Sequence, residues 1–109
     1  MKTDARSLAL IILSRFQANT TKIDEIISST FSQFHVHNQI KSRARVIVNE
    51  VVRFRDRLDL MIEYASERKK MHIKNKTINI LRIGFYELVM DNKVPDYAAV
   101  NSAVNIADK

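Results

Sequence analysis

The sequence contains no cysteine and only one glycine and one proline among its 109 residues. Without cysteine, the chain can form no disulfide bond, thiolate metal site or cysteine nucleophile. One glycine cannot supply the glycine-rich loops that bind nucleotide phosphates. Folds rich in strands need many turns built on glycine and proline, so this scarcity predicts an all-α fold.

The sequence also lacks a long hydrophobic run. The longest one, residues 8–13, is too short to cross a bilayer or to form the core of a secretory signal. His35 and His37 have no third ligand near them in the sequence, so we expect no metal site. These absences predict a cytoplasmic protein that does not associate with a membrane.

Apolar residues recur every three or four positions, which is typical of helices that are buried along one side. The pattern predicts a single domain over residues 1–109, folded as a compact bundle of about six helices. Five helices begin near Asp4, Thr21, Asn38, Asp56 and Thr77, and a last helix contains residues 100–107. In the fifth helix we expect Leu81 and Phe85 to be almost fully buried.

The net charge of +6 is concentrated in about a third of the chain. Residues 41–76 hold eleven Lys/Arg and five Asp/Glu, whereas the remaining residues hold seven of each sign. Such a localised excess indicates a surface that binds a polyanion, and RNA is the polyanion we favour. The alternatives are a solvated surface on basic helices, or a surface that contacts an acidic protein.

Arginine predominates at the start of this basic region, and its planar guanidinium can bind a phosphate through two hydrogen bonds. Six basic residues lie on or beside a row with four-residue spacing: Lys41, Arg43, Arg45, Arg53, Arg55 and Arg57. Such a row winds slowly around a helix, by about 40° per step. The few aromatic residues, Phe54 excepted, have the spacing of core residues. This favours recognition of the RNA backbone over stacking on single-stranded bases.

Four acidic residues form a helical row in the same region: Asp56, Asp59, Glu63 and Glu67. Basic residues surround them, so we interpret the row as intrahelical ion pairs rather than as acid/base catalysts. We therefore expect no catalytic residue and no bound cofactor in this chain.

Two segments near the C-terminus carry a family resemblance. Residues 80–88 (ILRIGFYEL) and 93–101 (KVPDYAAVN) closely resemble the NusB-like helical domain. Upstream, residues 49–53 (NEVVR) and the pair Leu58-Asp59 are similar to the family's segments, and Ala5-Arg6 fits its first helix. The resemblance implies a non-catalytic, all-α RNA-binding domain. The candidate RNA contacts are Arg6, Lys41, Arg43, Arg45, Arg53, Arg55 and Arg57.

Two branches of the family share this domain. One is the free-standing NusB transcription antitermination factor, and the other is the N-terminal domain of RsmB/Sun-type 16S ribosomal RNA cytosine-C5 methyltransferases. Residues 94–101 are more similar to the methyltransferase branch. This implies an N-terminal fragment that positions 16S ribosomal RNA for an intramolecular catalytic domain, where S-adenosylmethionine binds. The antitermination factor, and a helical protein-interaction module with no RNA role, are the alternatives.

Overall fold

The computed structural model of the chain describes residues 4–16 and 20–90. Within these residues the chain forms five α-helices and one 3₁₀ turn, and no strand occurs in them. The elements are α1 (Ala5–Arg15), α2 (Ile23–Gln33), α3 (Asn38–Arg53), α4 (Arg55–Ser66), the 3₁₀ turn (Lys70–His72) and α5 (Asn75–Val89). The prediction of an all-α fold is confirmed. The sixth predicted helix, residues 100–107, lies outside the described residues.

The internal contacts of the chain divide it into two units, with the boundary between Asn49 and Glu50. The first unit contains α1, α2 and most of α3. The second contains the last residues of α3 together with α4, the 3₁₀ turn and α5. That the whole chain forms one domain stays a prediction.

In the first unit, polar side chains define the two ends of α1. Asp4 caps the helix, because its carboxylate accepts a hydrogen bond from the backbone N–H of Ser7 at 2.7 Å. This satisfies one of the donors that a helix start leaves open. At the other end, the Arg15 guanidinium donates hydrogen bonds to Thr30 at 3.2 Å and to Gln33 at 2.8 Å. These bonds connect the end of α1 to α2.

The core of the first unit comes from apolar residues with helical spacing. Its buried members are Leu8, Ala9, Ile12, Leu13, Ile26, Ile27, Ala44, Ile47 and Val48. Burying a leucine, isoleucine or valine side chain contributes roughly 1.5–3 kcal/mol, which offsets the low helix propensity of the β-branched residues in α3. Because α3 buries Ala44 and Val48, the intervening Arg45 is left exposed.

In the second unit, α4 packs against α5. Leu58 and Ile62 are the buried apolar residues of α4, and Ile78, Ile83 and Tyr86 are among those of α5. Helix α4 ends at Ser66, and the next residue, Glu67, has a φ of 58°, which lies in the left-handed region. A side chain is disfavoured in this conformation, which helices commonly use to end at glycine. Because this position is not glycine, Glu67 bears the steric cost of the left-handed conformation.

The prediction that Leu81 and Phe85 are almost fully buried is wrong, since both are only half-buried. The buried residues of α5 are Ile78, Asn79, Ile80, Arg82, Ile83, Tyr86 and Glu87. Apolar residues occur nearly all around this helix, so hydrophobic spacing alone does not determine its rotation. A polar interaction of Arg82, described below, favours the observed face.

Candidate nucleic-acid interface

Two cations of the first unit lie over one aromatic ring. Lys41 and Arg45 are one turn apart on α3, and their charged groups lie 5.8 Å and 5.4 Å from the centroid of the Phe31 ring. A cation within about 6 Å of a ring face is attracted by the ring's quadrupole. We call this arrangement the Phe31 patch. The ring restricts both side chains, which lowers the entropic cost of binding a phosphate.

Two further predicted contacts lie in the first unit. Arg6, on α1, and Arg43, on α3, are both half-buried. Residues two apart on a helix point about 200° away from each other. Arg43 therefore lies on a different side of α3 from Lys41 and Arg45, and the structure does not bring it into the Phe31 patch.

The second unit carries the other predicted cations where α3 ends and α4 begins. Arg53 is exposed, and its guanidinium lies 5.1 Å from the centroid of the Phe54 ring. Arg57 is also exposed, whereas Arg55 is half-buried. We call Arg53, Arg55 and Arg57, with the ring, the Phe54 patch. The break between the two helices falls at Phe54, so Arg57 belongs to α4.

Arg55 and Arg57 both lie in the first turn of α4. The dipole of a helix favours anions at this end, so two cations there do not stabilise the helix. Within the described part of the chain, the buried Nε of Arg55 has no hydrogen-bond partner. An anion bound at this helix start would be near the backbone N–H groups of the first turn and the exposed Arg57.

An open depression of about 390 Å³ lies beside Arg57. Its lining includes Glu50, Phe54, Arg57, Tyr86, Val89 and Met90. The two charged residues on this lining have opposite signs, so the depression itself is not an anion site. The exposed guanidinium groups of Arg53 and Arg57 have the chemistry that phosphate binding requires.

A buried ionic network in the second unit was missed by the sequence analysis. Asp59, only 4% exposed, accepts hydrogen bonds from Nε and Nη2 of Arg82 at 2.7 and 2.9 Å. Lys70 Nζ lies 2.9 Å from the same carboxylate. A third nitrogen of Arg82, Nη1, donates to Asn79 Oδ1 at 2.9 Å. The interpretation of the acidic row as intrahelical ion pairs is therefore wrong for Asp59, whose partners lie on α5 and the 3₁₀ turn.

The network shifts the titration of its carboxylate. Burial raises the pKa of Asp59, but the hydrogen bonds and positive charges of Arg82 and Lys70 outweigh that effect, and the net pKa lies below the ordinary value of 3.8. Glu63 accepts a second bond from this turn, from the backbone N–H of Lys70 at 2.8 Å. Lys70 is thus a structural cation, although it contributes to the charge excess of residues 41–76. Asp59 and Arg82 both lie in segments that carry the family resemblance, Leu58-Asp59 and residues 80–88. Their presence in these two segments could have suggested that they form a pair.

Tyr64 contradicts the expectation that the aromatic residues other than Phe54 are core residues. It is 89% exposed on α4, and Leu60, one turn before it, is 68% exposed. Its spacing from the buried Leu58 and Ile62 could have signalled this, because residues two or six positions away on a helix point to another side.

Neither a metal-binding cluster nor a membrane-spanning helix is found in residues 4–16 and 20–90. These residues contain no cluster of three or more side chains that could hold a metal ion. No helix among them is both long enough and apolar enough to span a membrane.

Comparison with known proteins identifies the family. The NusB family matches residues 3–109. The probable ribosomal RNA small subunit methyltransferase B of Bacillus subtilis is 26% identical over 106 residues, covering 97% of this chain but 24% of the relative. The transcription antitermination protein NusB of Desulforudis audaxviator is 30% identical over 105 residues, covering 94% of this chain and 75% of the relative. A NusB of Acetivibrio thermocellus is 24% identical, and the match covers 94% of this chain and 72% of the relative.

The chain thus spans about a quarter of the methyltransferase and about three quarters of the antitermination proteins. The family match extends over nearly all of the sequence, including both units and the segments that carry the resemblance. The chain belongs to the NusB family and is an all-α, NusB-like RNA-binding domain.

Proposed function

We propose that this chain binds the phosphate backbone of ribosomal RNA and positions it for an S-adenosylmethionine-dependent cytosine-C5 methyltransferase domain. The observation that carries the RNA-contact part is the exposure of Arg45, Arg53 and Arg57, each in the basic region of the sequence. The proposed contacts are Arg6, Lys41, Arg43, Arg45, Arg53, Arg55 and Arg57. Of these, Arg45 and Arg53 are both exposed and next to a phenylalanine ring.

The chemistry of the two patches suits a backbone more than a particular base. A guanidinium binds a phosphate through two parallel hydrogen bonds, and each neutralised phosphate releases condensed counterions. Contacts of this kind position a protein on RNA without reading its sequence. The chain would therefore supply affinity and orientation, while base selection and chemistry belong to the catalytic domain.

The methyltransferase assignment is supported by the relative from Bacillus subtilis, in which a segment of this length makes up 24% of the protein. In the proposal, S-adenosylmethionine binds to the catalytic domain and this chain holds no cofactor. The substrate is 16S ribosomal RNA in the cytoplasm. The partner domain contributes the covalent chemistry in this proposal, and the present chain, without cysteine, supplies no thiol nucleophile.

A second function is favoured by a different observation. The NusB of Desulforudis audaxviator is 30% identical, and the match covers 75% of its length. This similarity supports a free-standing antitermination factor as well as the methyltransferase relative supports the first function. In that role the same two patches would bind a transcript instead of ribosomal RNA. The contacts with phosphates would be alike, so mutations in the patches do not distinguish the two functions.

Reconstitution with separate domains distinguishes them. The chain is mixed with a catalytic domain of methyltransferase B and 16S ribosomal RNA, and transfer of labelled methyl groups is measured. The proposal predicts faster methylation at low RNA concentration than with the catalytic domain alone. Unchanged methylation, together with increased read-through in a transcription assay, would favour the antitermination role. The reading frame downstream of the codon for Lys109 gives an independent check.

A further inference from the structure

We propose that one exposed face of α4 binds single-stranded RNA, with an unpaired base stacked on the ring of Tyr64 and a phosphate bound by Arg57. We call Arg57, Leu60 and Tyr64 the α4 strip. This inference rests on the proposed RNA-binding function and extends it, because it adds contact with a base to contacts with the backbone.

The geometry of the helix places these three residues together. They are separated by three and four positions within α4, so they share one side of it. With a rise of about 1.5 Å per residue, Arg57 and Tyr64 lie about 10 Å apart along the helix axis. At about 3.4 Å per base, that is the length of roughly three stacked nucleotides.

The exposure of Tyr64 is the main observation. A tyrosine ring that is 89% exposed contributes little to the core of its own domain. An exposed aromatic ring is the usual platform for an unstacked base, since every base has a flat aromatic face. Leu60, 68% exposed, extends the apolar surface toward Arg57.

The size of the apolar surface favours a nucleotide over a protein. Two side chains of this kind offer on the order of 300 Å² of contact area. A stable protein interface needs about 800 Å² on each partner. Glu63, which precedes Tyr64 in the sequence, already accepts a hydrogen bond from the backbone N–H of Lys70. The strip therefore offers a small aromatic platform that ends at a cation, which matches the alternation of base and phosphate in a single strand.

The test compares binding of a labelled oligoadenylate with binding of an RNA duplex of the same length. Tyr64→Ala should weaken binding of the single strand by roughly 5- to 100-fold and leave duplex binding within about twofold. Tyr64→Phe, which keeps the ring, should retain the affinity of the wild type. All variants should unfold at the same temperature as the wild type, because the substituted side chain is exposed.

Fluorescence gives a second readout on the same samples. The chain has no tryptophan, so tyrosine emission is observable. Stacking of adenine on Tyr64 should quench part of this emission in the wild type. Tyr64→Phe should lose that quenching while its affinity for the single strand is kept.

The outcomes separate this inference from the proposed function. One outcome is that the wild type binds both RNAs with the expected salt dependence while Tyr64→Ala binds the single strand equally well. In that case the proposal that the α4 strip binds single-stranded RNA is wrong, and the proposal of backbone binding stands. If the wild type binds neither RNA, both proposals fail. If Tyr64→Ala and Leu60→Ala leave RNA binding unchanged but abolish binding to the catalytic domain, the strip is a protein contact and the inference is overturned.

Discussion

Arg82 of α5 donates two hydrogen bonds to the buried carboxylate of Asp59 on α4, at 2.7 and 2.9 Å. This bidentate pair joins the two packed helices of the second unit and, through Lys70, the 3₁₀ turn between them. A buried pair of this kind adds little net stability over apolar residues, but the loss of one partner leaves an uncompensated charge. The pair also favours one rotation of α5 about its axis. The hydrophobic pattern of α5 alone does not determine that rotation.

Replacing Arg82 should therefore destabilise the domain strongly. We expect Arg82→Ala to lower the free energy of unfolding by about 3–5 kcal/mol, because Asp59 would remain charged and buried. Urea denaturation at neutral pH measures this loss. Arg68→Ala, a substitution of an exposed arginine, is the control and should cost within about 0.5 kcal/mol. Equal stability of the two variants would mean that the pair does not hold the helices together.

The same pair predicts an effect of acid. The pKa of Asp59 is lower in the folded protein than its ordinary value of 3.8. The stability that comes from its ionisation is therefore present above that value and is lost as the pH falls through the folded pKa. The difference in unfolding free energy between the wild type and Asp59→Asn should be largest at neutral pH and should shrink below about pH 4. A difference that stays constant from pH 7 to pH 3 would contradict this assignment.

The left-handed conformation of Glu67 predicts a stabilising substitution. Glycine adopts φ near 58° without the steric cost that a side chain brings, although it also gains freedom in the unfolded chain. We expect Glu67→Gly to raise the free energy of unfolding by about 0.5–1 kcal/mol. Ser66→Gly, one residue earlier and inside α4, should instead lower it by about 0.5–1 kcal/mol. Thermal unfolding of both variants tests the sign of each effect.

The ring of Phe31 should contribute to RNA binding without touching RNA. Phe31→Leu keeps an apolar side chain but removes the ring face from beneath Lys41 and Arg45. The expected loss is about 0.5–1.5 kcal/mol of binding free energy, or roughly two- to tenfold in affinity, because the ring no longer orders these side chains before they bind. Phe31→Tyr keeps the ring and should bind RNA as the wild type does. A loss of the same size in both variants would place the effect in packing of the first unit.

Much of the fold was predictable from spacing and capping. The starts expected near Asp4 and Asn38 agree with the structure closely, and α4 and α5 begin one and two residues before their predicted starts. Asp4 caps α1, as an acidic residue before an apolar pattern predicts. These features depend on interactions between residues close in sequence, which a single sequence reveals directly.

The features that were missed depend on contacts between distant residues. Asp59 and Arg82 are 23 positions apart, and nothing in the local pattern distinguishes Asp59 from the other acids of α4. The contact favours a rotation of α5 that leaves Leu81 and Phe85 half-buried, which their spacing did not reveal. Tyr64 was expected in the core together with the other aromatic residues, whereas its position on α4 leaves it exposed.

The predicted RNA contacts are separated by the structure into groups that the sequence did not distinguish. Spacing placed Lys41 and Arg45 on one row, and the structure adds the ring of Phe31 beneath them. The sequence could not show that Lys70, which shares the same charge excess, is bound to Asp59. The net charge of a segment does not distinguish a cation that can bind a phosphate from one that is paired with a carboxylate of the same chain.

The salt dependence of RNA affinity tests the central claim most directly. Each neutralised phosphate contributes about −0.7 to −0.9 to the slope of log affinity against log salt concentration, so four to six contacts predict a slope of about −3 to −5 for structured ribosomal RNA. Replacing Arg53 and Arg57 by glutamine should weaken binding of all RNA sequences alike and should flatten this slope by about one to two. Lys22→Gln, an exposed cation outside the basic region, should leave the slope unchanged. A slope in the folded double variant equal to that of the wild type would contradict the account, because the exposed arginines would then not contact RNA phosphates.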